Sequence, residues 1–395
     1  MRVISSYDEA FKMGKKCLDD MTTSKRPALL GHGIKKLPEE VDGPWEMSEE
    51  ALANTLKYVF DLSHACYLLC ISNSKHTIYK IQAKTLPKIY ENTIRKTLKR
   101  KRLDSKNTTY RIMQCVLRPF KKVESTADEL DIFLTNISYQ LPDGLFLWSA
   151  TDSMILRRDG TAPWHMIGNK TLTLGSKHIP LLAYSGNVDF FDVPVINFDD
   201  MQYGFGKATA PQFVEWENKK PIAVFRGTTT GCGYTAETNM RLKLSTMRSS
   251  ELDVGVVKHT YQMRFDPKEG LGSVNIKEFP TVPLMPMSEQ ATHKYIIHID
   301  GNVAAYRFLT TMMTGSLILK VEGPYTLWID HLLKPGKHYI PVKADLSDLL
   351  EVMEWCKSHD DKCKKIALAG YEFAKKALTK DYIDASFAKV LWALK

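Results

Sequence analysis

At 395 residues, with 44% hydrophobic and 25% charged side chains, the chain has the composition of a folded protein with room for two cores of ordinary size, not of a disordered polymer. No apolar run approaches the ~20 residues that a spanning helix needs, so no membrane span is expected. The formal charge of +9 favours an anionic partner: a nucleic acid, a sugar nucleotide or an acidic surface.

The chain opens polar and charged, without the apolar stretch of a secretory leader, and ends without a retention tetrapeptide, which predicts a cytoplasmic protein. Seven cysteines at irregular spacing predict no disulfide framework and fit a reducing compartment. No Cys-x-x-Cys pair is present and no metal site is expected.

A helical pattern over Tyr7 to Met21 leads into a Pro/Gly-containing connector, Arg26 to Trp45. Ser48-Glu49-Glu50 then reads as an N-cap with an acidic first turn. Leu62 to Ile81 reads as strand, and Leu86 to Asn107 as a basic helix. Within the latter, six of the eight residues from Arg95 to Arg102 are basic, but no aromatic interleaving or zinc-finger spacing accompanies them. Nucleic-acid binding is therefore not the expected role. Arg111 to Leu117 and Leu145 to Ser149 read as buried strands around a helix, Thr126 to Leu141.

A boundary near Lys207 to Lys220 precedes a strand at Pro221 to Phe225 and a Gly/Thr loop, Arg226 to Gly233. Such a loop offers N–H and hydroxyl donors, with Arg226 and Arg241 bracketing it; a hydroxyl-rich turn with two surface arginines is the plain alternative.

The segment from Lys294 to Leu349 is the most informative. A strand, Tyr295 to Ile299, runs into the small-residue turn Asp300-Gly301-Asn302-Val303-Ala304-Ala305 and a helix start with Arg307. A second strand, Leu317 to Leu319, follows. That is a βαβ unit able to set backbone N–H groups and an Arg fork against a phosphate, although the full dinucleotide fingerprint is absent. Lys320 and Glu322 follow the second strand, as a cation near a donor and an acceptor for a ribose diol, or as solvated side chains. Asp345 to Leu394 reads as helices whose apolar stripe is core packing.

The blocks D-G-N-x-A-A-x-R, G-S-L-I-L-K, L-K-P-G-x-H-Y-I-P-V and D-L-S-D-L stand in one stretch and in this order. They resemble the CAP10/Rumi-like glycosyltransferases of family 90, among them protein O-glucosyl- and O-xylosyltransferases. The resemblance is strong over about 180 to 375 and plausible from about 60. It implies a GT-B-like α/β fold, two Rossmann-like domains facing a central crevice with C-terminal helices.

The domains expected are an N-terminal helical extension at 1–59 and an acceptor-side α/β domain at 60–210. A nucleotide-sugar domain at 211–345 and closing helices at 346–395 complete the chain. The resemblance also implies an inverting, metal-independent transfer from a UDP-sugar, UDP-glucose or UDP-xylose, to a hydroxyl on a protein or glycan, with no other cofactor.

Asp152, after the strand ending at Ser149, is by residue chemistry a turn or cap carboxylate; the resemblance makes it the general base. Family members commonly carry Arg-Asp-Trp-Pro there, whereas Thr151 precedes Asp152 and Ser153-Met154 follow it. Arg226, Gly227, Thr230 and Arg241 fit the family's F-R-G loop, and Asp300, Gly301, Val303, Ala304, Ala305 and Arg307 its nucleotide turn. The segment around Asp192, before Val193-Pro194, resembles the family's Asp-Ile-x-x-Pro-like turn; by residue chemistry Asp192 is a structural turn residue, and it stands as a site candidate of second rank. A scaffold that retains the fold without catalysis is the competing reading, favoured by the departures around Asp152.

Overall fold

The computed structural model describes residues 2–21, 43–61, 65–82, 123–149, 152, 154–159, 177–260, 264–266 and 270–395. The expected basic helix at 86–107, the strand at 111–117, most of the connector at 26–45, and Thr151 and Ser153 lie outside them. The described residues group into two units. Met1–Asn197, Thr326–Trp328 and Asp381–Lys395 make up the first, and Phe198–Tyr325 with Ile329–Lys380 the second. Both are α/β, the class expected from the sequence.

In the first unit the strands run in the order Arg2–Ile4, Lys75–Gln82, Ala65–Ser72, Gly144–Ser149, Leu181–Ala183, Val193–Pro194. The sheet is mixed, because the stretch expected as one strand over 62–81 is an antiparallel hairpin. Asn73 and Ser74, both at positive φ (52° and 62°), make its two-residue turn. Two positive φ values in succession match the right-handed twist of the flanking strands.

Residues read as an N-terminal extension contribute to this unit's core. Helix Tyr7–Asp19, capped by Ser6, and helix Glu49–Asp61 bury Ala10, Cys17, Leu52, Leu56 and Val59 with Leu68 and Leu147 of the sheet. Gly14 permits the close helix crossing, since a Cβ there would lie 2.7 Å from Leu52. The last helix, Lys380–Ala393, belongs to this unit from Asp381 onward and stacks Phe387 on Trp148 at 5.4 Å.

The expectation of no disulfide is corrected here. Cys17 of the first helix and Cys70 of the hairpin are bonded, their Cα atoms 5.9 Å apart. The spacing of the cysteines carries no trace of this, because the pairing follows from how a helix packs on a strand 53 residues away. The bond also runs against the reducing compartment inferred from the odd count.

The second unit holds an all-parallel sheet in the order Ile340–Val342, Leu317–Val321, His293–His298, Lys220–Thr228, Leu252–Lys258. Helices Leu349–Ser358 and Asp360–Ala377 cover one face, burying Leu349, Met353, Cys356 and Ile366 against Phe225, Ile297 and Leu319. The C-terminal apolar stripe is thus core, as read. Lys219, just before the sheet, is buried and donates to the carbonyls of Ala291 and Thr314 and to Ser316 Oγ. No described helix is long and apolar enough to cross a membrane.

Candidate functional site

The carboxyl ends of parallel strands are where α/β proteins bind ligands, and two neighbouring strands of the second sheet end there in the motifs singled out above. Strand Lys220–Thr228 runs into the Gly/Thr loop, and strand His293–His298 into the turn at Asp300.

The Gly/Thr loop is cross-linked to itself and its neighbours. Thr229 N–H donates to the Lys258 carbonyl, Gly231 N–H to Asn302 Oδ1 (3.0 Å), and Thr260 N–H to Thr229 Oγ1 (2.9 Å). The loop was expected to offer free donors; the N–H groups of Thr229 and Gly231 are taken up within the fold. Gly231 has φ of 136°, and a Cβ there would sit 2.9 Å from the Asn239 amide. Asn239, 1% exposed, caps the helix Met240–Thr246 and holds the loop from inside. The helix starts immediately after Asn239, whose side chain accepts the N–H groups of Arg241 and Leu242.

Arg226 does not face the loop. Strand alternation puts Phe225 and Gly227 on one side and Arg226 on the other. There its guanidinium reaches Asp253 Oδ1 at 2.7 Å and the carbonyls of Asp253, Phe225 and Pro283. Four donations lock it in place, so its assignment to a diphosphate is corrected to a structural one.

Arg241 is also heavily engaged. It donates to the carbonyls of Asp300 (2.9 Å), Ile299 (2.9 Å) and Thr228, and to Thr230 Oγ1 (2.7 Å). Its work is to tie the two strand-end loops together. Gly227 and Gly301 make room for it: a Cβ at either would stand 3.3–3.4 Å from the guanidinium.

Arg307 differs. It precedes the short helix Phe308–Met312 and gives one N–H to the Arg226 carbonyl at 3.0 Å. Among the described residues it faces no carboxylate. Burial alone pushes its pKa down, the mark of a cation without an acidic partner.

Lys320 was expected near a donor, yet its ammonium pairs with Asp330 at 3.1 Å and lies over the rings of Phe308 and Tyr339. His338 is a turn residue, its Nδ1 accepting the Lys334 N–H.

A cavity of about 160 Å³ opens at this edge, lined in part by Asp300, Gly301, Asn239, Glu322 and Tyr325. Ligand sites usually span roughly 300–1,000 Å³, so this one is smaller than a whole nucleotide requires. Asp300 accepts the Ala305 N–H through Oδ1 (3.0 Å), and burial raises its pKa to about 6. Its other oxygen lies against Gly323, where a Cβ would be 2.6 Å away. The lining holds two carboxylates and no lysine or arginine, a set of acceptors that matches hydroxyl donors.

Of the turn residues singled out, Asp300 and Gly301 line the cavity; Val303 accepts the Gly301 N–H, and Ala304 and Ala305 are buried. Sequence reasoning missed Asn239, Tyr325 and His298. The last is a buried histidine whose position at a strand end was its only visible signal.

In the first unit Asp152 is exposed, and its charge helps to raise the pKa of the buried Tyr184 phenol. Asp192, far along the chain, is buried and accepts the N–H groups of Ile155 (2.8 Å) and Leu156 (2.7 Å). It is the structural turn residue expected, and it anchors the segment that follows Asp152.

Residues 165–393 match the family model described as Glycosyl transferase family 90. An uncharacterized protein of frog virus 3 is 30% identical over 288 residues, covering 64% of this chain and 29% of that one. Human protein O-glucosyltransferase 3 is 32% identical over 227 residues, 54% of this chain and 41% of it. The chain spans less than half the length of these relatives. A solved structure of Anabaena HepE with UDP-glucose aligns over 55% of this chain and 58% of that one, at a TM-score of 0.31 and 11% identity, a likeness too weak to argue from. The match over more than half of its length makes the chain a member of glycosyl transferase family 90.

Proposed function

We propose that the chain transfers a sugar, glucose or xylose, from a UDP-sugar to a hydroxyl on a protein or glycan, with inversion and without a metal. The observation that carries the reading is the carboxyl edge of the second sheet. There an arginine without an acidic partner, Arg307, stands in the same βαβ unit as a cavity lined by Asp300 and Glu322. A sugar nucleotide presents both kinds of group, an anionic diphosphate and neutral diols. Family membership supports the reaction class, and the name of the human relative supports glucose.

In this reading Asp152 takes the proton of the acceptor hydroxyl as its oxygen bonds to the anomeric carbon. The bond from that carbon to the phosphate oxygen breaks, and its electron pair leaves with UDP. Arg307 meets the charge that develops on the leaving group, the task for which a preorganised cation is most effective. Arg241 holds the two loops so that nothing reorganises during the step. Asp300 and Glu322 accept hydrogen bonds from hydroxyls of the ribose or the sugar. No cofactor beyond the donor enters this scheme.

The scaffold reading draws on one observation of its own, the commitment of Arg226 and much of Arg241 to the fold. A thermal-shift series with UDP, GDP, UDP-glucose and UDP-xylose, in EDTA, separates the two. Selective stabilisation by uridine compounds is expected, since a ligand that binds only the native state raises its stability. No shift at millimolar nucleotide would move the assignment to the scaffold.

A further inference from the structure

The cavity at the carboxyl edge of the second sheet lies between two segments of one unit. One wall is the Gly/Thr loop, with Gly231 and Cys232 in the lining. The other is the segment that leaves strand Leu317–Val321 and reaches the short strand Tyr325–Thr326, with Glu322, Gly323, Pro324 and Tyr325 in the lining. The walls are joined side chain to side chain: Cys232 Sγ and Tyr325 Oη share a hydrogen bond of 3.4 Å between residues 93 apart in the chain.

The two walls are held unequally. Gly231 N–H donates to Asn302 Oδ1 at 3.0 Å and Asn239 Nδ2 to the Gly233 carbonyl at 3.4 Å, so Cys232 stands between two anchored neighbours. On the other side Glu322 N–H donates to the Val342 carbonyl, and Gly323 and Pro324 beyond it are exposed. Exposed segments with few buried contacts belong to the low-stability end of a fold. Tyr325 is partly buried; burial first and the Cys232 thiol next push its phenol above the ordinary pKa, so it keeps its proton. At about 160 Å³ the space between the walls is smaller than the roughly 300–1,000 Å³ of ordinary ligand sites, so a nucleotide enters only if the walls part.

We propose that residues 322–325 are a strap that closes this cavity, latched to the Gly/Thr loop by the Cys232–Tyr325 hydrogen bond, and that the latch opens to admit the nucleotide of the donor. The anchored loop is the catch and the exposed strap the part that moves. The inference rests on the donor reading above and deepens it by naming what controls entry. A ligand that needs the open form binds with its affinity reduced by the open fraction, so a weaker latch makes a better binder. A residue that only lined the wall would act with the opposite sign, since losing a wall contact weakens binding. One net hydrogen bond shifts the opening equilibrium about two- to tenfold.

Amide hydrogen exchange and UDP-binding kinetics on the full chain test it, for the wild type, Cys232→Ala and Tyr325→Phe. Cys232 is exposed and Tyr325→Phe keeps the ring, so both variants should melt with the wild type. Each should speed exchange on both sides of the latch, at 231–233 and at 322–325, although only one side is substituted. Each should also speed UDP association and tighten UDP binding about two- to tenfold.

Exchange that quickens only in the substituted segment, or in neither, would mean that the two walls open independently and would overturn the latch. Faster exchange on both sides, with UDP association unchanged or slower, would make the contact a plain part of the wall and overturn the control of entry. If no form binds UDP while both sides exchange faster, the donor reading fails and the latch stands on the exchange data. Should one variant fail to fold, the other decides, since each cuts the same bond.

Discussion

The two units organise their candidate chemistry in opposite ways. In the second, an all-parallel sheet brings two strand-to-helix turns to one edge, and the turns differ in what they leave open. The loop after Phe225 is closed by Asn239, Asn302 and Thr260, whereas the turn after His298 leaves Arg307 with one carbonyl and His298 Nδ1 with no partner. In the first, an exposed carboxylate, Asp152, follows a strand of a mixed sheet, and the segment after it is held by the buried Asp192. The contrast teaches that a motif announces a turn but not which of its donors the fold has already engaged. It also divides labour: the second unit should govern donor binding, and the first the chemical step.

The largest expected effects test that division. Asp152→Asn should lower turnover by about 10²- to 10⁴-fold, the usual worth of a positioned general base, with UDP affinity within twofold of wild type. Single-turnover rates beside titration calorimetry read both quantities; undiminished turnover would break the comparison on the first unit's side. Arg307→Ala should weaken UDP binding by about 10- to 100-fold through lost charge-assisted bonds, with little change in melting temperature. Arg226→Ala should do the reverse. Its four donations are internal, so about 1–3 kcal/mol of stability should go while the nucleotide affinity of the folded protein stays. If Arg226→Ala instead abolishes binding without destabilising, the two turns have been assigned the wrong way round.

Much of the second unit was legible because its signals are local. A strand of apolar residues, a small-residue turn and an arginine at the helix start follow one another closely, and in the structure Asp300 and Gly301 line a cavity. What was not legible is the partner of each polar group. Arg226 and Arg241 bracket the same loop in sequence, yet strand alternation sends one to Asp253 and leaves the other to bridge two loops. Asn239 and His298 escaped notice because their roles depend on burial. The hairpin at Asn73-Ser74 was hidden in a run that reads as one strand, and the Cys17–Cys70 bond joins a helix to a strand that only packing brings together.

That bond sharpens the comparison from the stability side, since it ties only the first unit. Closing a loop across 53 residues removes unfolded-state entropy, and a native bridge of this kind contributes about 2–4 kcal/mol. Cys17→Ser should therefore lower the unfolding midpoint under oxidising conditions, and dithiothreitol should bring the wild type to the same value. Nucleotide affinity, a property assigned to the second unit, should be the same in both. A wild type insensitive to reductant, with seven free thiols by thiol titration, would remove the bond.

The last effect, felt in the pH profile alone, concerns how the first unit holds its carboxylate. Burial raises the Asp192 pKa to about 7, even though the N–H groups of Ile155 and Leu156 pull it back. The unfolded chain gives this group an ordinary value near 4, so between about pH 4 and 7 the native state binds the extra proton. Its contribution to stability is therefore full below about pH 4 and declines as pH rises to 7, by at most about 1.4 kcal/mol per pH unit. Asp192→Asn carries no such proton, and its stability curve should be flatter than the wild type's across that window. Parallel denaturation curves at pH 4.5, 5.5, 6.5 and 7.5 make the comparison. Two parallel profiles would mean that Asp192 is ionised throughout and that its two backbone bonds outweigh its burial. In that event the anchor beneath Asp152 would be a permanent carboxylate, and the rigidity of the segment at 154–156 would not change with pH.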